Sequence, residues 1–520
     1  MPPKKRHQKR QAAANRRKTP KTKSTTSTVS KRNPPKAEVA HPRGKATGAK
    51  RALEEDHANR LPSKRARTTL VRKRGRPASR PAIPPTINHP PTEVLAIIAF
   101  GNGESGELGL GPNVTESTQP RINPYLDPRD PSAFHVDQFS CGGMHTVALT
   151  VTNQIITWGV NDKSALGRET DWNGGLRDIE EDSSDSDGDL NPYESTPAPV
   201  PEKYFPSGTR FVQVAAGDSC SFALTDTGLV YGWGTFRDSK GEDRFSLDAN
   251  GVVVEIQRKP ACISGLEKIT QIACGANHAL ALDATGNIWA WGASEQNQLG
   301  RRVLPRRYLE SFKPSRVGVC RNNAKFIASG EYHSFAIDRK DNVWAWGLNS
   351  FGEAGDAKGA GGNSILVPYP TKVRDLCGEN IIHLDGGAHH SVALTADGRC
   401  LAWGRMDCGQ LGIDFTSEQL EDISLIRYDG RNEARICLRP TEVPNVGHVV
   451  YACCGTDHTI FIDKGGKAYV TGFGSQGQLG FGSYDDVQIA QPLQSGETEG
   501  RTLTGAGAGG QFSLVAALVK

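Results

Sequence analysis

Histidine is the side chain most able to change charge near neutral pH, and in this chain its placement is patterned. Five of the 13 histidines close a Gly-x-x-His motif and stand thirteen residues before the residue that precedes a closing glycine: His145 and Trp158, His278 and Trp291, His333 and Trp346, His390 and Trp403, His458 and Thr471. Cys220 and Trp233 keep the spacing without histidine. A histidine repeated in this way solves one packing problem several times and is read as structural. The residues between glycine and histidine differ from copy to copy. Immediately before the histidine position lie Met144, Ser219, Asn277, Tyr332, His389, Asp457 and Gln511; one place earlier lie Gly143, Asp218, Ala276, Glu331, Ala388, Thr456 and Gly510. Mixed carboxylate, amide and imidazole groups suit a protein partner better than a small symmetric ligand.

No covalent machinery accompanies them. The chain has no nucleophile elbow, no Walker loop and no metal-binding helix motif, and its Gly-x-Gly runs fall in repeat turns where glycine serves backbone geometry. Eleven cysteines without a Cys-x-x-Cys pair argue against a metal site and fit a reduced, intracellular setting. No cofactor is expected. No run of about 18 apolar residues is present, so no membrane span is expected, and the start MPPKKRHQKR lacks an apolar signal segment.

The elements that position these residues are read from the repeat. ITQIACGANHALALDATGNIWAWGASEQNQLG, from Ile269 to Gly300, carries two alternating apolar runs around an Asp and Gly turn, the pattern of an antiparallel hairpin. Successive copies stand 75, 58, 55, 57, 68 and 54 residues apart, room for about four strands each. A seventh copy is split: TLTGAGAGGQFSLVAALVK, from Thr502, puts Phe512 at the histidine position, and LAIIAFGNGESGELG, from Leu95, supplies the missing half. The expected fold is all-β, a seven-bladed propeller over residues 93–520 whose last blade joins both ends of the chain and hides its edge strands. Rotation would then place the variable residues in a ring on one face.

One copy breaks the rule. Elsewhere the closing glycine is followed eight residues later by a second; after Gly234 that position is Glu242. Thr235, Phe236, Arg237, Asp238, Ser239, Lys240 and Gly241 replace the segment that leads to it, and this polar, turn-forming stretch predicts a protruding hairpin with little reason to enter the core.

The run Gly-x-x-His-[ST]-x-Ala-Leu, then Gly-x-[VIL]-[WY]-x-[WF]-Gly, then Gln-Leu-Gly resembles the repeat of the regulator of chromosome condensation family, from about Val94 to the C-terminus. The resemblance implies a seven-bladed propeller. For the chromatin-bound type it also implies guanine-nucleotide exchange on the small GTPase Ran, without covalent chemistry. Matched motif by motif, Asp218 takes the first acidic position and His389 the partner-contacting histidine. Asn277 stands where a second acid is usual, and Phe512 where a last-blade histidine is usual. The 235–241 stretch resembles the β-wedge that presses on the GTPase. A chromatin-binding scaffold without exchange activity is the alternative.

Charge divides the chain. Residues 1–92 hold 26 Lys and Arg against 4 Asp and Glu, leaving 36 basic and 53 acidic residues in the remainder. Residues 1–92, poor in apolar side chains, are expected to be a disordered basic tail that binds DNA and a nuclear import receptor. Within it Arg72, Lys73, Arg74, Gly75, Arg76 and Pro77 form a cluster whose Arg-Gly-Arg-Pro core resembles an AT-hook, a minor-groove element. Residues 177–190 form an acidic insert that accounts for the 75-residue spacing. The basic loop from Gly300 to Arg316 contains Arg306 and Arg307, for which the family resemblance implies contact with the acidic histone surface of nucleosomes. These expectations place the protein in the nucleus, on chromatin.

Overall fold

The computed structural model describes residues 85–173, 190–363 and 365–519. Alternating apolar residues make each Gly-x-x-His copy a set of antiparallel strands. In blade 1, Val136–Cys141, His145–Thr150 and Ile155–Gly159 pair in succession, and Ala198–Pro199 adds the outer edge. Blades 2 to 6 repeat this order. In blade 7, Leu503–Ala508 pairs with Phe512–Leu518, that strand with Leu95–Asn102, and that strand in turn with Glu116–Ile122. Seven residue pairs, from Leu95 with Leu518 to Gly101 with Phe512, join the two ends of the chain. The fold is an all-β propeller of seven blades closed by its own terminal strands, as the repeats predict.

The repeated histidines connect blades. His145 Nε2 lies 2.9 Å from Ser221 Oγ of the next blade. The bond recurs between His278 and Ser334 at 2.8 Å, His333 and Ser391 at 2.8 Å, His390 and Thr459 at 2.9 Å, and His458 and Ser513 at 2.9 Å. Each hydroxyl donates its only proton to a carbonyl in the loop that ends the preceding blade's glycine pair: Ala165, Gln298, Glu353, Gln410 and Gln478 in turn. It must therefore accept from the imidazole, which fixes the Nε2–H tautomer. Burial pushes these imidazoles down, to about 4 at His145 and His458 and to about 3 at His278, His333 and His390, so they are neutral connectors. The motif glycine is required by the close approach of the ring: a Cβ on Gly330 would stand 2.1 Å from His333 Cε1.

Two junctions lack this relay. Between blades 2 and 3, Cys220 replaces the histidine, Ala279 replaces the hydroxyl, and the loop that would offer the carbonyl is the one rebuilt after Gly234. Phe222, Phe236, Phe245, Phe312 and Trp291 fill the space. Trp291 keeps its place, but its Nε1 makes no hydrogen bond among the described residues. Trp158, Trp233, Trp346 and Trp403 donate to loop carbonyls at 2.7 to 3.0 Å. Between blades 7 and 1, Phe512 is fully buried among Trp158, Leu108 and Leu514.

The seven inner strands line an axial channel of about 510 Å³. Side chains bridge them where backbones do not pair: Gln213 spans to both backbone groups of Ile272, Gln271 to those of Ile327, and Asp385 accepts from Cys454 N at 3.0 Å. Burial pushes the Asp385 carboxyl up to about 7.

Residues 85–92 differ from the tail expected there. Ile87 N and Asn88 N donate to Asp226 O at 2.8 and 3.0 Å, and Asn88 Nδ2 reaches Thr225 O at 3.0 Å and Ile269 O at 2.8 Å. Asn88 thus spans blades 2 and 3 at the strand ends farthest from the Gly-x-x-His loops. An amide that satisfies two carbonyls holds a segment whose composition alone gives no reason for order. The remaining tail, including Arg72 to Pro77, lies outside the described residues. So does the acidic insert except Leu190, which is buried.

Candidate functional site

The Gly-x-x-His loops meet at one mouth of the channel. Backbone bonds run around it from loop to loop: Gly510 N to Gly143 O, Gly143 N to Gly217 O, Asp218 N to Ala276 O, Ala276 N to Glu331 O, Glu331 N to Gly387 O and Ala388 N to Thr456 O, at 2.9 to 3.3 Å. The variable residues are thereby held in a ring. From each copy the chain leaves on the same face, because the residue after the closing glycine donates to a ring carbonyl, as Thr235 N does to Ser219 O at 2.9 Å and Arg405 N to His389 O at 2.9 Å.

The ring and the rebuilt hairpin form one surface. Phe236–Arg237 pairs with Asp243–Arg244, with Phe236 opposite Arg244 and Arg237 opposite Asp243. Asn277 Oδ1 accepts from Arg237 N at 2.6 Å, so the residue that departs from the acidic pattern tethers the hairpin. Asp218 is half-buried; burial raises its pKa and the Arg237 guanidinium opposes that rise. Lys163 of blade 1 braces the other strand through Asp243 at 2.9 Å.

Only part of Thr235 to Gly241 protrudes. Thr235 and Phe236 are fully buried, a correction to the expectation that the stretch avoids the core. Thr235 Oγ1 donates to Glu255 O at 2.7 Å, and the Phe236 ring lies 6.1, 5.9 and 6.3 Å from those of Phe222, Phe245 and Phe312. The missing loop left a cavity's worth of space that these rings fill. Asp238 is also buried, accepting from Lys240 N at 2.9 Å and Glu242 N at 3.0 Å and pairing with Arg244 at 3.3 Å. Arg237, Ser239, Lys240 and Gly241 are the exposed members. A second hairpin follows, Ser246–Leu247 with Val253–Val254, with Val252 62% exposed.

Arg306 and Arg307 are exposed on the 3-10 segment Pro305–Phe312. That segment shares a foundation with the hairpin: Phe312 packs on Phe236, and Tyr308 Oη donates to Glu295 Oε1 at 2.8 Å.

His389 lies on blade 5, three blades beyond Asp218, at the same mouth. Its ring is 4.8 Å from that of Phe351, and Nδ1 is 3.5 Å from Glu353 Oε1. Arg405 and Arg435 lie over Phe351 at 5.6 and 5.2 Å, and Arg405 pairs with Asp457 at 3.1 Å. Sequence reasoning missed Phe351, Glu353, Arg405 and Arg435; Glu331, already among the variable ring residues, has a half-buried carboxyl whose raised pKa follows from desolvation and which accepts from Thr456 Oγ1 at 2.6 Å. The 68-residue spacing after His390 was the available signal: it accommodates the helix Ser417–Glu421 and the strand Ile426–Tyr428, which pairs with Ala434–Glu442 to carry Arg435.

The model of the RCC1-like domain matches residues 96–515. The chain belongs to the regulator of chromosome condensation family. It is 37% identical over 431 residues to the guanine nucleotide exchange factor SRM1 of Saccharomyces cerevisiae, covering 81% of this chain and 86% of that one. A solved structure of Prp20p from Saccharomyces cerevisiae, reported with its binding properties to Gsp1p and histones, superimposes with a TM-score of 0.73 at 35% identity, over 82% of this chain and 92% of that one. Yeast RCC1 (Prp20) bound to Kap60 gives a TM-score of 0.74 at 34% identity, over 87% and 97% of the two chains. Family membership agrees with seven blades closed by the terminal strands.

Proposed function

We propose that this protein is a chromatin-bound guanine-nucleotide exchange factor for the small GTPase Ran, releasing GDP in the nucleus so that GTP can load. The observation that carries the reading is the union of ring and hairpin: the one repeat released from the common loop presents Arg237, Ser239, Lys240 and Gly241 beside Asp218, and Asn277 bonds the hairpin directly. Homology to SRM1, named as an exchange factor, supports it.

Exchange needs no covalent step. The protein must bind nucleotide-free Ran more tightly than the nucleotide-bound form, and by linkage it weakens nucleotide binding by the same factor. In this mechanism the exposed hairpin presses on the nucleotide-binding region, Asp218 and Asn277 hold the neighbouring polypeptide by hydrogen bonds, and His389 makes a contact across the mouth. Excess GTP then decides which nucleotide returns. Arg72 to Pro77 would hold DNA and the wider tail an import receptor, and Arg306 and Arg307 would meet the acidic histone surface. The binding of Prp20p to Gsp1p and histones and of yeast RCC1 to Kap60 supports these partners by homology.

The test is release of fluorescent GDP from a panel of small GTPases in excess GTP. Acceleration confined to Ran is expected. No acceleration with Ran overturns the reading and favours the chromatin scaffold; equal acceleration with all overturns its specificity.

A further inference from the structure

Five of the blade-ending loops solve the same local problem with a glutamine or glutamate. Gln298 Oε1 accepts from Gln296 N at 2.9 Å, Gln410 Oε1 from Cys408 N at 3.0 Å and Gln478 Oε1 from Gln476 N at 2.9 Å; in blade 4, Glu353 Oε2 accepts from Phe351 N at 2.6 Å, and in blade 7, Glu107 Oε2 accepts from Ser105 N at 2.8 Å. An amide therefore suffices to cap this turn; of the two buried carboxylates, Glu353 faces a histidine in the next blade's ring, whereas the corresponding ring residue for Glu107 is Met144. In two of these loops the same side chain also addresses the ring residue of the next blade. Gln410 Nε2 points at Asp457 Oδ1, 3.4 Å away, an amide donor facing an acceptor. Glu353 Oε1 lies 3.5 Å from His389 Nδ1. Donor and acceptor roles are matched to the ring residue in each case.

Glu353 is fully buried, and its Oε1 also accepts from Ser350 N and Oγ at 3.2 and 3.1 Å, which hold it in place. His389 Nδ1 is buried and makes no hydrogen bond among the described residues, while the side chain as a whole is 27% exposed. A lone pair on Nδ1 would face a carboxylate oxygen, whereas a proton there is attracted to it. We infer that Glu353 is a positioning residue for His389: it keeps the proton on Nδ1, holds the ring against Phe351, and leaves Nε2 as the edge presented to the partner. This is opposite to the Nε2–H tautomer of the five connecting histidines, so the two adjacent residues His389 and His390 carry their protons on different nitrogens. The inference rests on the exchange reading for its functional consequence and on the structure alone for the tautomer.

The experiment uses the full chain with nitrogen-15 labelled histidine, the His389 signal being identified by its loss in H389A. The expected wild-type spectrum shows Nδ1–H at His389. In E353Q the amide oxygen takes over the bond from Phe351 N, as glutamine does in three other blades, and the amide N–H group stands in place of Oε1, giving up the bonds from Ser350 and facing Nδ1, so the tautomer should switch to Nε2–H. With Ran loaded with fluorescent GDP, E353Q should slow release by about tenfold, E107Q in the blade 7 loop should not, and E353Q should add nothing in an H389A background. A wild-type Nε2–H tautomer, exchange by E353Q within about twofold of wild type, or an equal loss in the H389A background overturns the inference. If the wild type does not act on Ran at all, the functional reading fails, and the wild-type tautomer alone supports or overturns the role of Glu353.

Discussion

The buried root and exposed tip of the blade 2 hairpin should separate cleanly under mutation. Phe236 has no exposed surface and touches three other phenylalanine rings. Truncation to alanine removes that transfer energy and leaves a cavity in a layer with no hydrogen-bonded relay beneath it. The expected cost is about 3 to 5 kcal/mol, against roughly 5 to 15 kcal/mol of total stability in a typical domain. F236A should therefore melt measurably lower. Arg237 and Lys240 point into solvent, and R237A/K240A should change stability by no more than about 0.5 kcal/mol. If the tip is the contact element, the same double variant should slow Ran exchange by about tenfold, equivalent to roughly 1.4 kcal/mol of transition-state binding. Differential scanning calorimetry beside fluorescent-GDP release reads both effects. Wild-type exchange by R237A/K240A would refute the contact role, and an unchanged melt of F236A would refute the aromatic foundation.

Three further outcomes follow from the fold. Deleting residues 513–520 removes six of the seven pairs of the seam and the buried Leu514 and Val515, so thermal unfolding should show a large loss of stability; an unchanged melting temperature would contradict closure. W346F should destabilise by about 1 to 2 kcal/mol more than W291F in denaturant titrations, because only Trp346 donates a hydrogen bond, to Gln298 O at 2.8 Å. Because burial raises the folded-state pKa of Asp385 to about 7, the native state binds the extra proton and this contribution to stability is lost as pH rises from about 4 to 7. D385N, whose oxygen can still accept from Cys454 N, should match the wild type near pH 4 and exceed it by about 1 to 2 kcal/mol at pH 8, with channel water screening the remainder.

The blades were legible because one unit recurs at fixed spacing, and a missing second glycine pointed to the hairpin after Gly234. Its anatomy was not legible. Phe236, Phe245 and Phe312 come from three separate segments, and counting polar residues between Thr235 and Gly241 cannot show that the three rings meet. Asn277 read as a lost charge; its value as an acceptor for Arg237 N depends on a strand 40 residues away in sequence. Glu353 sits in a repeat position that looks like scaffold, and only the packing of one blade's loop against the next blade's ring brings it to His389. Asn88 was assigned to the tail by composition, which carries no information about two carbonyls, Thr225 O and Ile269 O, brought together at strand ends of different blades.

The two junctions without a histidine relay divide the ring unequally. Directional bonds fasten blades 3 through 7 into one arc and blades 1 and 2 into another. Oily seams join the arcs, one beneath the hairpin and one where the terminal strands close. Backbone bonds of the ring and, between blades 2 and 3, the Gln213 bridge still cross these seams close to the axis, but the packing outside them is non-directional and tolerates small tilts, so the molecule should flex as two stiff crescents hinged at its seams. The hairpin stands on one hinge, with Asn88 clasping its far side. Native-state amide exchange would then report two cooperative units rather than seven equivalent blades, and the part of the surface offered to a partner would sit where the ring yields most readily.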